Sequence, residues 1–455
     1  MPESQTSGFS ARLFPIFTSL FLLVALLLGG ATRREVISSD IVALAALPLL
    51  AWAVWRMRSG PIPGSWRGPL WLIGGLVVVG LLQLLPLPPA IWTLLPGRGT
   101  MAADMASAGL MPGWEPLSLS PQNTQHSLIA LLPGVAMFAA ALQLSARERT
   151  GLLWLMLAVG LLSVLVGLVQ IMQGEHSPLR FYAVTNPTPA VGFFANRNHL
   201  ASLLVALMAV SAALAIDALI TRPLPRWRLG GALAMLLVLL VGDGLTQSRS
   251  GMLLLAPLGV GIVALAWRAG LHRKLSRTAL IGIGLAAVTL LALTLFAFQA
   301  TAERLTGGFS NELRFQAFGV IVRAISDYMP FGTGFGSFVP VYKMFESPAV
   351  MQSTYVNHAH DDWLEIVLEG GIPAVALLIG FLIWWGRAGL ALWRKAGGRE
   401  TLTRGAWLVT LVLLIHAFLD YPLRSPAIMC VFALACAMLI PPVTAESRGS
   451  ALTRD

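Results

Sequence analysis

The chain is 455 residues long, with 56% hydrophobic and only 11% charged residues, less than half of the roughly 25% charge found in ordinary soluble domains. Its mean hydropathy of +0.75 and its succession of apolar runs of about 17 to 22 residues exclude a soluble enzyme and define a polytopic helical membrane protein. Lys and Arg number 31 against 21 Asp and Glu, a net charge of +10; in a soluble chain this would suggest a nucleic-acid partner, but most of the excess lies in short loops between apolar runs, where topology explains it.

Apolar windows near 13–30, 41–56, 69–88, 125–144, 152–172, 199–220, 230–246, 252–267, 279–298, 364–386, 406–419 and 426–442 predict an all-α protein of about twelve transmembrane helices forming one domain over 1–455. The first window is too long for a signal peptide, lacks a small-residue cleavage site and is followed by Arg33 and Arg34, so it is read as a retained helix. A cytoplasmic N-terminus places Arg56, Arg58, Arg67, Arg147, Arg149, Arg222, Arg226, Arg228, Arg268, Arg273, Lys274, Arg277, Arg387, Arg394, Lys395, Arg399 and Arg404 inside. The positive-inside rule therefore predicts both termini in the cytoplasm.

Two outer loops are long. The first, 89–124, is rich in Pro, Gly and Ser, and reads as an irregular cap or a mobile loop. The second, 299–363, contains Asn311 to Tyr328, where Leu313, Phe318, Ile321 and Ile325 recur near helical spacing and Arg314, Arg323 and Asp327 fill polar positions. An amphipathic helix lying on the outer membrane surface is expected there. Cys430 and Cys436 fall in the last window without metal or redox spacing, and are read as inert packing residues.

Polar side chains at the edge of a bilayer are costly unless paired or wet, so their clusters are functional candidates. GFFANRNHL, at 192–200, puts Asn196, Arg197, Asn198 and His199 at the outer start of the sixth window. A helix N-terminus with a fixed cation suits an anion, although an N-cap beside a snorkelling Arg accounts for the same residues. TQSRSGML, at 246–253, holds Arg249, which either serves a substrate or pairs with Asp243 in a tight turn. FGTGFGSF, at 331–338, alternates Gly332, Gly334 and Gly336; a flexible turn is the simpler reading, close backbone approach to a glycan or phosphate the other.

The densest segment is VNHAHDDWLEIVLEGGIPAV, at 356–375, with His358, His360, Asp361, Asp362 and Glu365 at the mouth of the tenth window and Gly370-Gly371 inside it. Packing does not explain so many titratable groups. A zinc or manganese site is the rival reading, but HxHDD is no recognised ligand set and HExxH is absent. A histidine base beside a carboxylate fits better, because an imidazole of ordinary pKa about 6.5 suits proton transfer near neutrality. In HAFLDYPLRSP, His416 and Asp420 stand four apart and Arg424 follows, which reads as an ion-paired lock of helix ends.

GFFANRNHLA, SRSGML, FGTGFGSF and HAHDDWLEIVLEGGIP, in this order, resemble segments of the O-antigen ligase family, polytopic enzymes of bacterial surface-polysaccharide assembly that include ligases and Wzy-type polymerases. The resemblance covers about 192–426. It implies a GT-C-like, metal-independent glycosyltransferase of the bacterial inner membrane, with no cofactor and a periplasmic site. Its donor would be an undecaprenyl-diphosphate-linked glycan and its acceptor lipid A-core or a growing polysaccharide. The family's ligase pattern Arg-x-x-x-Leu is matched by Arg249 and Leu253. A His, then Asn, Ser or Gln, then nine residues and Gly is matched by His360 and Gly371, with Asp361 departing at the second position. A looser polymerase-like pattern joins Arg323 and Gly334.

The residues agree with that chemistry. A lipid diphosphate needs fixed cations, for which Arg197, Arg249 and Arg314 are the outer-face candidates, and a hydroxyl acceptor needs a base, for which His360 is best placed. The chain has no DxD motif and no nucleotide-binding signature. We assign catalytic roles to His360 and Arg249 and substrate binding to Arg197, Asn196, Asn198, His199, Arg314, His358, Asp361 and Glu365. Ligation to lipid A-core is the first reading and polymerisation on the lipid carrier the second. A transporter or flippase of lipid-linked sugars is the alternative of another class; against it, the ionisable residues gather at the outer edge rather than at mid-membrane.

Overall fold

The computed structural model describes residues 3–33, 36–58, 60–273, 313–346, 356–395, 397–398 and 400–442. Its first helices are α1 (Glu3–Leu28), α2 (Ile37–Met57), α3 (Gly64–Gln83), α4 (Pro89–Trp92), α5 (Arg98–Ser107), α6 (Pro121–Ala130), α7 (Leu132–Leu142) and α8 (Ala146–Gln173). There follow α9 (Arg197–Ile220), α10 (Arg226–Thr246), α11 (Arg249–Arg268), α12 (Leu313–Tyr328), α13 (Phe338–Phe345), α14 (Asp362–Arg394), α15 (Thr401–His416) and α16 (Pro426–Met438). A short antiparallel ribbon pairs β1 (Pro86–Leu87) with β2 (Glu115–Pro116).

Eight helices among the described residues are long and apolar enough to cross a membrane: α2, α3, the run Pro121–Leu142 made by α6 and α7, α8, α9, α10, α11 and α14. Shorter apolar helices occupy Arg12–Leu28, Thr401–His416 and Pro426–Met438, at three more of the expected windows. The window 279–298 lies outside the described residues. Eight, not twelve, therefore meet both criteria among the described residues.

The axis of the bundle is α9. Its apolar window is 83% buried, against 17% for α3, and it packs on α10, α11 and α15. Small residues permit this close approach: Gly405 of α15 sits where an added Cβ would come within 2.5 Å of the Ala213 methyl.

Two arginines that topology alone would place among solvated loop charges are buried and close helix ends. Arg149 donates to the carbonyls of Ala141, Leu142, Ala437 and Ile440, at the C-terminal ends of α7 and α16. Arg404 donates to those of Leu392, Lys395 and Gly397, where α14 ends. Each satisfies carbonyls left over by the last helical turn.

The loop 89–124 folds as a cap built from α4, α5 and the ribbon. Trp92 Nε1 donates to Pro116 O at 3.0 Å, and the buried Arg98 donates to Pro96 O, Leu117 O and Gly332 O. Burial lowers the Arg98 guanidinium to about 10, with the neighbouring Tyr328 acting in the opposite direction. The expected amphipathic helix forms as α12, and one side of it packs on protein. Val320, Ile321, Ala324 and Tyr328 pack in one cluster with Phe338, Val341, Tyr342 and Leu368, whereas Phe318 is exposed. The side chain of Arg314 lies outside the described residues.

Candidate active site

The site is assembled where α9, α11 and α14 begin and where α15 passes into α16. Asp361 caps α14, its carboxylate accepting from the N–H groups of Trp363 at 2.9 Å and Leu364 at 3.1 Å. Burial pushes this carboxyl up, against those two hydrogen bonds. The preceding residue, His360, has a left-handed backbone with φ 53°, rare outside glycine and costly unless its surroundings hold it. That turn sends His358 and His360 to different carboxylates. His358 Nδ1 donates to Glu365 Oε1 at 2.8 Å, and His360 Nδ1 donates to Asp420 Oδ1 at 3.1 Å.

Asp420 also draws in the other helix starts. Its Oδ2 accepts from Asn198 Nδ2 at 2.6 Å, and its Oδ1 accepts from the Tyr421 N–H at 3.0 Å. Asn198 Oδ1 in turn accepts from Ser248 Oγ at 2.9 Å, and Ser248 is the N-cap of α11, just as Asn196 is the N-cap of α9. Arg197 and Arg249 are therefore the first residues of two helices joined through Asn198. Two helix N-termini that each begin with arginine, joined next to His360 through Asn198 and Asp420, favour an anion by their dipoles and charge. Burial works to raise the Asp420 carboxyl, but the hydrogen bond from His360 and the charges of His360, His199 and His416 outweigh it and hold it well below the carboxylate range.

Tyr421 sits among three imidazoles, with ring centroids 4.4 Å from His358, 5.0 Å from His360 and 5.2 Å from His199. Its hydroxyl accepts from Asn357 Nδ2 at 3.3 Å. Burial and the adjacent Asp420 push that hydroxyl far above its ordinary value, so it stays protonated. His199 is fully buried, and neither ring nitrogen has a hydrogen-bond partner among the described residues.

Behind the histidines lies a buried ionic knot. Arg424 meets Asp362 at 3.1 Å, Glu365 at 3.3 Å and Glu369 at 3.5 Å. Burial works to lower the guanidinium, but the three carboxylates raise it beyond its already high ordinary value. One turn further α14 breaks at Gly371, φ 57° and ψ −156°, and the 331–338 loop fills the break. Thr333 and Gly334 donate N–H groups to Leu368 O and Glu369 O, and Ile372 N–H donates to Pro330 O. Gln83 braces both sides, its Nε2 donating to Glu369 O and its Oε1 accepting from Phe335 N–H. Gly332, Gly334 and Gly336 all have positive φ, and a Cβ on Gly332 would strike the backbone of Glu369 and Gly371. The glycines thus permit close backbone approach to the protein's own helix, which corrects the reading of a flexible turn.

The structure brings together His358, His360, Asp361, Glu365, Asn196, Arg197, Asn198, His199 and Arg249. Glu365 is buried and engaged by His358, Arg424 and the Ala359 N–H, so it organises the site from behind. The His416, Asp420 and Arg424 lock is corrected. The helix ends at His416, and side-chain spacing lapses there. His416 Nδ1 meets Ser202 Oγ at 2.7 Å, while Asp420 turns to His360 and Arg424 to the carboxylates of α14. The turn pairing suggested for Asp243 is not seen; this buried carboxyl lies against Gly251, and its Oδ1 has no hydrogen-bond partner among the described residues. Among the described residues no group of three or more His, Cys, Asp or Glu is arranged to hold a metal ion. Sequence reasoning passed over Tyr421 and Arg98; an aromatic next to a loop aspartate and one Arg in a charge-poor loop were their only signals.

The structure is thus an apolar helical bundle with a histidine–carboxylate pair tied by hydrogen bonds to the starts of two helices that each begin with arginine. Residues 232–379 match the family model described as O-Antigen ligase, Wzy_C, which supports the resemblance to the O-antigen ligase family seen in the sequence. No curated protein matches the chain. The family indicates a multi-pass enzyme of the glycosyltransferase or ligase type in a bacterial inner membrane, either an O-antigen ligase or a Wzy-type polymerase. The family implies lipid-linked glycan and lipid A-core or polysaccharide as substrates in a membrane.

Proposed function

We propose that the protein transfers a glycan from an undecaprenyl-diphosphate carrier to a sugar hydroxyl of lipid A-core, at a site facing the periplasm, with both termini in the cytoplasm. The observation that carries this reading is the His360–Asp420 pair. An ionised carboxylate can only accept, so Nδ1 carries the proton and the Nε2 lone pair is left for substrate. His360 is 27% accessible, whereas Asp420 is fully buried. The acceptor hydroxyl gives its proton to His360 Nε2 as its oxygen bonds to the anomeric carbon. The bond from that carbon to the diphosphate oxygen breaks, and the carrier leaves as undecaprenyl diphosphate. Asp420 stabilises the imidazolium. Arg249, exposed at the start of α11, and Arg197, at the start of α9, meet the diphosphate charge.

Cations supplied by arginine and a carrier that stores the activation energy support transfer without a divalent metal. Purified protein, a synthetic lipid-linked glycan and lipid A-core test the reading together: glycosylated lipid A-core and free undecaprenyl diphosphate are expected, undiminished by EDTA. Loss of turnover on chelation, restored by one metal, would overturn metal independence. In cells, loss of the protein should leave long polymer on undecaprenyl diphosphate and bare lipid A-core. A ladder collapsed to single repeats on lipid A-core would instead assign the polymerase role.

A further inference from the structure

One side of α12 packs on protein, while Phe318 and Val322 stay exposed; a second segment outside the spans presents apolar side chains left largely exposed among the described residues. That segment is the cap. Ile91, Leu94, Leu110, Met111 and Trp114 all lie outside the candidate spans and are all exposed, Leu94 at 83% and Met111 at 85%. From 85 to 114 the only charged residues are Arg98 and Asp104, and Arg98 is fully buried. A water-facing loop of this length normally carries far more charge, at roughly one residue in four.

We propose that the cap rests this face in the headgroup and upper acyl layer of the bilayer, with membrane lipid as its partner. Continuity identifies the occupant. The cap follows α3 directly, and the last turn of that span and the residues after it expose Leu81, Leu82 and Leu85, the lipid-facing side of the helix. Ile91 and Leu94 extend the same apolar run, Leu110 and Met111 come at the return, and Trp114 supplies the amphipathic ring favoured at membrane interfaces. Gln83, at the end of α3, bonds the broken region of α14, which sets this contact at the level of the site. Arg98 links the cap to the 331–338 loop through Gly332 O at 2.9 Å. The proposal concerns where the protein meets lipid, and stands whether the enzyme ligates or polymerises.

The test is spin labelling of the full-length protein in phosphatidylethanolamine–phosphatidylglycerol vesicles. Single cysteines are placed by Leu94→Cys, Met111→Cys and Trp114→Cys, with Ser326→Cys on the polar face of α12 as the water-facing reference. Cys430 and Cys436 are buried, and the unsubstituted protein gives their background. Oxygen accessibility relative to a water-soluble nickel reagent should be severalfold higher at 94, 111 and 114 than at 326. Equal ratios at all four positions would place the cap in water and overturn the proposal. Spin–spin broadening between copies at 94, 111 and 114 would show a second chain covering the face and overturn it as well. A normal elution profile for each variant keeps the comparison among folded proteins.

Discussion

Asp420 Oδ1 receives the Nδ1–H of His360 at 3.1 Å across sixty positions of sequence. The contact fixes both the tautomer and the ring orientation, so the two residues should fail together. His360→Ala is expected to lower transfer by about 10² to 10⁴ in protein that still folds and inserts. Asp420→Asn is expected to lower the turnover number with little change in KM, because it disturbs the base and not the binding of the glycan. Full activity of purified His360→Ala would remove the histidine from the mechanism.

Arg249 begins α11 beside the caps that Asn198 joins. A planar guanidinium grips two oxygens of a diphosphate, and an ammonium does not. Arg249→Lys should therefore lose nearly as much activity as Arg249→Ala. Steady-state assays that find wild-type turnover with lysine would reduce Arg249 to a point charge.

At Arg424 the expected loss is of stability. Removing the guanidinium strands Asp362, Glu365 and Glu369 in a buried setting; breaking a buried ionic group in this way costs about 3 to 5 kcal/mol. Arg424→Ala should unfold in detergent well below the wild-type temperature, and Arg424→Lys should recover part of the difference. An unaltered melting curve for the alanine variant would contradict the ionic knot.

Acid should destabilise the protein through Asp420. Burial favours its neutral form, but His360 and the surrounding histidines more than offset this and lower the folded value. A carboxyl lowered on folding stabilises the folded state fully above its unfolded value of about 3.9, and that contribution disappears as pH falls from there toward the folded value. Melting temperatures of the wild type and Asp420→Asn should differ by a constant amount above about pH 4 and draw progressively together as pH falls below that. Parallel curves over the whole range would show that Asp420 contributes no such linkage.

The helical architecture was legible because long apolar runs leave few alternatives in lipid, and the helix-start clusters around Asn198, Arg249 and His360 were legible because polar residues are rare there. The pairing of those clusters was not. Helical spacing linked His416 to Asp420, but that rule ends where the helix does, and a loop carboxylate can reach a partner that no periodicity announces. Arg98 was hidden for the opposite reason: its partners are three backbone carbonyls, which leave no complementary residue type in the sequence. The membrane-facing pattern of α12 was real as periodicity, but it did not say whether lipid or protein covers the face.

The break at Gly371 has a bearing on motion. In carriers, an interrupted helix leaves backbone groups open for cargo and lets its halves swing. Here the carbonyls of Leu368 and Glu369 and the N–H of Ile372 are already taken by Thr333, Gly334, Gln83 and Pro330. Swinging the halves apart would strand those groups where water is scarce, at about 2 to 7 kcal/mol each. The bend is braced as a weld rather than left open as a hinge.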